Sequence, residues 1–351
     1  MTRLKDLSQK TGFSITTVSR ALAGYSDVSE QTRQQILTAA REMDYQPDEV
    51  ARQLRSQRTN TLGLILPAHD HSFSEGFFHQ LMRGIGDAAG AARYDVLISA
   101  GAPGDDELAT YKRIVGGNRV DGIILARTRQ HDERIAYLRK VGHPFIVSGR
   151  TAPDEQSDFP YIDVDSQAGI QDATAHLIAL GHRKIGLILP PPEIAYTEYR
   201  RRGYEQALET AGLPYQSEYI THGDLMRSGG YSGMDALLSR HPDMTAVVCC
   251  NDLMALGAAQ AIQARGMTVG RDIAVVGFDD LPLSEYANPP LTTVRQPIYT
   301  IGRRLVEILL SIIAGTAMSA TQVLLPTTLV VRESCGAIHQ AKGVLRQPKT
   351  D

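Results

Sequence analysis

The chain is short of cysteine, of long apolar stretches and of net charge, and each shortage removes a class of protein. Only three cysteines occur in 351 residues. Cys249 and Cys250 are adjacent in an apolar, strand-like run and Cys335 stands near the end. Neighbours on a strand point to opposite faces, so the three offer no zinc spacing and read as reduced packing residues. No apolar run approaches the ~18 residues of a membrane span. The N-terminus lacks a signal-peptide core. The expectation is a cytoplasmic protein with no membrane partner. Motifs of enzyme chemistry are also missing: there is no P-loop pattern, H-E-x-x-H, C-x-x-C or G-x-S-x-G. Gly84-Ile-Gly86 falls inside an amphipathic helical pattern without dinucleotide spacing. His69 and His71 could hold a metal in principle, but the sequence around them offers no obvious third ligand. Neither an enzyme nor a cofactor or metal is expected. The net charge is only −3, with a mild asymmetry: residues 1–60 carry nine Lys and Arg against seven Asp and Glu, the remainder 27 against 32. That balance alone is weak support for a nucleic-acid partner, and placement matters more than the total.

What is present is ordinary globular composition, 42% apolar and 21% charged, in a chain long enough for two or three packed domains. The most informative stretch is residues 4–58. Leu4, Leu7 and Thr11 share a helical face that ends at Gly12, and a second pattern starts at the N-cap residue Ser14 and runs through Ile15, Val18 and Leu22. Two helices joined by a tight glycine turn make a helix-turn-helix. Val18, Ala21 and Leu22 can face inward, which leaves Ile15, Thr16, Thr17, Ser19 and Arg20 outward as base or phosphate contacts, with Ser14 at the helix start. A third helix over Glu30–Glu42, capped by Ser29 with Ile36, Leu37 and Ala40 on one side, closes a small core. A generic three-helix bundle would show the same periodicity.

The blocks D-L-S-Q-K-T-G-F-S-I-T-T-V-S-R-A-L-A-G, V-S-E-Q-T-R, Y-Q-P and A-R-Q-L, in that order, closely resemble the headpiece of the lactose/galactose repressor (LacI/GalR) family. One departure is Ala23, where the family usually has Asn before the glycine. The resemblance continues in H-L-I-A-L-G-H-R-K-I-G-L-I, C-N-D-L-M-A-L-G-A, D-I-A-V-V-G-F-D-D and P-P-L-T-T-V-R-Q-P, and so covers about residues 2–335.

From Thr61 the texture is apolar strands alternating with amphipathic helices. The strands are expected at Leu62–Leu66, Asp95–Ser99, Gly122–Leu125, Phe145–Val147, Ile185–Leu189, Ala246–Cys250 and Ile273–Val276. Helices are expected at Leu81–Ala92, Ala168–Leu180, Gly203–Ala211 and Leu253–Ala264, several with glycine just past the end. Such alternation means parallel sheets in an α/β architecture, here two sheets. The resemblance implies a two-lobed, periplasmic-binding-protein-like core with three crossovers, near Tyr161–Asp165, Leu291–Gln296 and Leu325–Arg332. The expected organisation is a helix-turn-helix headpiece (1–47), a hinge helix and linker (48–60), an effector-binding and dimerisation core (61–335) and a disordered tail (336–351). By the same resemblance Ala51, Leu54 and Arg55 of the hinge meet DNA, Leu54 as a wedge into the minor groove. A plain linker with a buried leucine is the simpler alternative.

Ligands of open α/β sheets lie beyond the carboxyl ends of strands. There the sequence delivers Asn251 and Asp252, then Phe278, Asp279 and Asp280, then Ser148, Gly149 and Arg150, and after the first strand a loop with Phe73, Phe77 and Phe78. By resemblance, Arg200, Asn251 and Asp279 occupy the family's effector-binding positions. Carboxylate, amide and guanidinium suit vicinal hydroxyls and phenylalanine rings suit a pyranose face, which favours a sugar or oligosaccharide. A phosphorylated sugar or a purine is the alternative. Asp252 and Asp280 could equally cap a helix, Phe77 or Phe78 could be core, and Arg201 and Arg202 read as solvated neighbours of one pocket arginine. The function expected is a homodimeric transcriptional regulator, a repressor, on a nearly palindromic operator. A transporter's solute-binding protein is the competing class, disfavoured by the headpiece.

Overall fold

A computed structural model describes residues 3–45, 58–66, 76–100, 107–316 and 320–337. Phe73, the histidines at 69 and 71, the hinge residues Ala51, Leu54 and Arg55, and the tail beyond 337 lie outside the described residues. The chain divides into two compact units, Met1–Thr59 and Asn60–Asp351.

The first unit is three helices: α1 (Leu4–Thr11), α2 (Ile15–Leu22) and α3 (Glu30–Glu42). Gly12 closes α1 in the left-handed region at φ 74°, the conformation that lets the chain turn at once into α2. Ser14 and Ser29 cap α2 and α3, each accepting from the backbone N–H three residues on. Leu7, Val18, Ala21, Val28, Ile36, Ala39 and Ala40 form the core between them. Ala23 sits in right-handed helical space at φ −82°, and Gly24 takes the left-handed turn at φ 77°. Replacing the customary asparagine therefore costs the turn no backbone strain.

The second unit holds two six-stranded sheets. The first comprises β1 (Thr61–Leu66), β2 (Asp95–Ala100), β3 (Gly122–Ala126), β4 (Phe145–Ser148), β5 (Tyr161–Val164) and, much later, β11 (Gln322–Leu325). Its order is β11-β5-β4-β3-β1-β2, parallel throughout. Side chains alternate as a period of two requires: Leu62 and Leu64 bury on one face of β1 and Ile65 on the other. Helices α4 (Phe77–Ala91), α5 (Glu107–Gly116) and α6 (Glu133–Val141) belong to this lobe.

The second sheet holds β6 (Ile185–Leu189), β7 (Ile220–His222), β8 (Ala246–Cys249), β9 (Ala274–Asp279), β10 (Thr292–Arg295) and β12 (Thr328–Val330). Its order is β12-β10-β9-β8-β6-β7, and only β12 runs antiparallel. The strands β6, β8 and β9 are buried along their whole length, the pattern of parallel strands covered on both faces. The helices of this lobe are α7 (Ser166–Ala179), α8 (Tyr196–Thr210), α9 (Arg227–Arg240), α10 (Asp252–Ala264) and the short α11 (Pro282–Glu285). The last helix, α12 (Ile298–Ala314), follows β10 of the second sheet yet packs on α4, β3 and β4 of the first. At that crossing a Cβ on Gly84 would stand 2.2 Å from the Tyr299 carbonyl oxygen, so the two helices meet as closely as they do only because that position has no side chain.

The chain passes between lobes three times: from β5 into α7, from β10 into α12, and from β11 into β12. These passages fall at the three segments expected from the sequence. The strands β5, β7, β10, β11 and β12 have only three or four residues each, too short for periodicity to reveal.

Candidate functional site

In the first unit, the outward face of α2 carries the expected polar set. Ile15 is 47% exposed, Thr16 and Arg20 are exposed, and Thr17 and Ser19 are half-buried. Ser14 and Thr17 are partly occupied by each other: the Ser14 Oγ accepts from the Thr17 N–H at 3.1 Å, and the two hydroxyls share a hydrogen bond at 2.8 Å. Arg20 is held by Asp27 at 2.5 Å and lies 5.1 Å over the exposed ring of Tyr25. Tyr25 escaped the sequence reading because it lies past the end of the helical pattern. Its exposure beside Arg20 marks it as part of the same surface.

In the second unit the carboxyl ends of both sheets face a cleft with about 1030 Å³ free of protein atoms, part of it continuous with solvent. Phe77 and Phe78, the first residues of α4, line it together with Arg200, Asn251 and Asp279. Five of the expected effector residues are thus brought to one cavity.

Arg200 is 5% exposed on α8, its guanidinium 4.5 Å from the Tyr196 ring and 4.0 Å from that of Phe278. Nη1 donates to the Cys250 carbonyl, while Nε is buried and finds no acceptor among the described residues. A buried guanidinium donor left open is costly unless something else completes it. Asp279 ends β9 at φ 120°, a conformation that side chains rarely adopt and that surrounding structure must enforce. Its Oδ1 accepts from Gln296 Nε2 at 2.5 Å. Burial, and then the nearby Asp252 charge, push its carboxyl well above the usual range. Asn251 has a structural share of work: Oδ1 caps α10 by accepting from Met254 N–H, and Nδ2 donates to the Leu225 carbonyl, both at 2.8 Å.

Other expectations resolve differently. Arg150 is not among the residues lining the cleft; its Nε donates to Asp163 Oδ2 at 3.0 Å and its guanidinium stacks 3.9 Å over Tyr199. Asp163, on the neighbouring strand, does line the cleft and holds the Arg150 guanidinium beside it. Asp252 accepts from Leu281 N–H, Ser284 Oγ and Thr293 Oγ1 and so pins the turn after β9. Asp280 pairs with Arg295 and Arg332, bracing two crossovers. Neither acid lines the cleft. Arg201 is paired with Glu198 and Glu205 and Arg202 with Asp154 and Glu198, which leaves Arg200 as the pocket arginine. The cysteines are free and buried, and burial pushes the Cys250 thiol up to about 12.

Ser148 and Gly149, expected at a strand end, line the cleft too, and several cleft residues were missed from sequence: Arg127, Asp163, Ser166, Tyr196 and Gln296. Asp163 and Gln296 lie in crossover segments, and an acid inside the apolar Tyr161–Val164 run was the available signal. The loop after β3 also clasps the loop after β6: Ala195 N–H donates to the Thr128 carbonyl and Gln130 N–H to that of Glu193, both at 3.0 Å.

Residues 3–48 match a model of bacterial regulatory proteins, lacI family, and residues 174–335 a periplasmic binding protein-like domain. The HTH-type transcriptional regulator CelR of Thermobifida fusca is 34% identical over 321 residues, 91% of this chain and 94% of that protein. A solved structure of a CelR–cellobiose complex superposes with a TM-score of 0.75 at 32% identity, over 95% of this chain and all of that one. The lac repressor dimer bound to operator and the anti-inducer ONPF gives a TM-score of 0.82 at 28% identity, over 96% and 99% of the two chains.

Proposed function

The chain belongs to the lacI family of bacterial regulatory proteins and is a DNA-binding transcriptional regulator; on that premise we propose that a neutral sugar of one to a few rings, bound in the cleft, sets its affinity for operator DNA. One observation carries the reading of the ligand. A carboxyl group (Asp279), a guanidinium with an open donor (Arg200) and two phenylalanines (Phe77 and Phe78) meet in a single cavity between lobes joined by three crossovers. Acceptor, donor and apolar ring face are what a pyranose presents partners for. The CelR–cellobiose complex supports this class of effector by likeness.

The working form is a homodimer in the cytoplasm that represses from a nearly palindromic operator, each headpiece reading one half-site with Ile15, Thr16 and Arg20. The hinge, residues 48–60, carries Ala51, Leu54 and Arg55 to the minor groove, and lobe closure around sugar alters how the two hinges are presented. Thermal-shift and calorimetric titration of the full-length protein with glucose, cellobiose, maltose, lactose, raffinose and glucose 6-phosphate tests the effector class. Binding of a neutral member is expected. Binding of glucose 6-phosphate alone, or of none, would overturn it.

A further inference from the structure

Resting on the sugar reading of the cleft, we propose that Asp163 is a second effector-binding carboxylate, set on the lobe opposite Asp279, so that one polyhydroxyl ligand bridges the two lobes.

Asp163 is the third residue of β5, between Ile162 and Val164, which bury their side chains in the apolar core. Its own side chain takes the other face of the strand and lines the cleft, 13% exposed. No packing need calls for an acid there. Oδ1 accepts from the Val164 N–H at 2.8 Å and Oδ2 from Arg150 Nε at 3.0 Å. An ionised carboxylate has about four acceptor sites, so about two remain for a ligand. Burial raises this carboxyl to about 6, against the opposing charges of Arg150 and Arg200.

Asp279 is arranged the same way on the other lobe, with Gln296 donating to it as Arg150 donates to Asp163. The Arg200 charge lowers both carboxyls, and all three residues line the one cleft. The Arg150 guanidinium, in turn, rests on the ring of Tyr199, the residue before Arg200 on α8. Arg150 is thus a positioning residue for Asp163, anchored on the second lobe. A ligand that hydrogen-bonds acids from both lobes gains its full contacts only when the lobes are together. Differential affinity of that kind is what shifts a conformational equilibrium. Selectivity follows, because a ligand with hydroxyls at one end only satisfies one acid and leaves the other buried without a ligand partner.

The test is calorimetry of the same sugar panel on full-length parent, D163N, D163A, R150A and D163N/R150A, with folding checked by circular dichroism. For the panel sugar that binds the parent most tightly, D163N and D163A are expected to bind at least tenfold more weakly. R150A should also lose affinity, and the double variant should bind no more weakly than D163N, since Arg150 acts through Asp163. Binding by folded D163N within twofold of the parent overturns this inference and leaves the sugar reading standing. Losses that add in the double variant overturn the positioning role of Arg150. If no panel sugar binds the parent, the sugar reading fails and this inference with it.

Discussion

In the headpiece the recognition groups stand in water: Ile15 is 47% exposed, and the Arg20–Asp27 pair has about half of each side chain in solvent. In the cleft, Arg200 and Asp279 are 5% and 8% exposed and already locked to Cys250 and Gln296. An exposed ion pair is worth about 0 to 1 kcal/mol, so the exchange of Asp27 for a base edge or a phosphate that the proposed function asks of Arg20 would cost little. Buried groups have been desolvated by folding and hold their geometry before any ligand arrives. On the proposed function, operator DNA is met by adaptable side chains on a small helical support, and the small ligand by a fixed constellation.

The largest test of that contrast is Ile36→Ala. Ile36 is fully buried in a core of only seven residues, and truncation of such a side chain costs about 2 to 5 kcal/mol. Operator binding, followed by fluorescence anisotropy, should be abolished while sugar binding by the second unit persists. Next come Arg200→Ala and Asp279→Ala, each expected to lose about 1.5 to 3 kcal/mol of sugar affinity by calorimetry, because each removes a hydrogen-bonding partner from a buried site and leaves the ligand's group there unpaired. Arg20→Ala should weaken operator binding by about 1 to 3 kcal/mol if it reads a base. Asp27→Ala should change that affinity by no more than about 1 kcal/mol, as befits an exposed pair. A larger effect for Asp27 would show that Arg20 is prepositioned, as Arg200 is, and would erase the distinction.

The smallest expected effect is on stability against pH. Asp163 and Asp279 both have carboxyls raised in the folded protein, so the native state holds protons that the unfolded chain has released. The contribution of these two carboxyls is fully present below the ordinary carboxylate range and is lost as pH rises, for Asp163 through about 6 and for Asp279 beyond that. The melting midpoint of the second unit should fall over this window, and D163N and D279N should each flatten the fall.

Most of the headpiece could be read directly from the chain, because its signals are local. Ser14 and Ser29 cap the helices that follow them, and Val18, Ala21 and Ile36 bury as their spacing requires. The core was legible where strands are long and apolar, as at Ile185–Leu189, and where polar residues follow strand ends, as at Asn251 and Asp279. Arg150 stands outside the cleft lining, paired with Asp163, because the neighbour of β4 is β5, which offers that carboxylate. Which strands lie side by side, and so which side chains meet across them, is what local reading does not supply. For the same reason the roles of Asp252 and Asp280, one pinning a turn and the other bracing two crossovers, stayed open until the fold was in view.

The central claim is that cleft occupancy and operator affinity are coupled in one chain. Its most direct test is operator binding by full-length parent and Arg200→Ala, measured by anisotropy across a titration of the tightest-binding panel sugar. The account predicts that the parent's operator affinity shifts at least fivefold, at the sugar concentrations where calorimetry shows the cleft filling, and that Arg200→Ala shows no shift at those concentrations. An operator affinity in the parent that stays constant while calorimetry shows the sugar bound would contradict it.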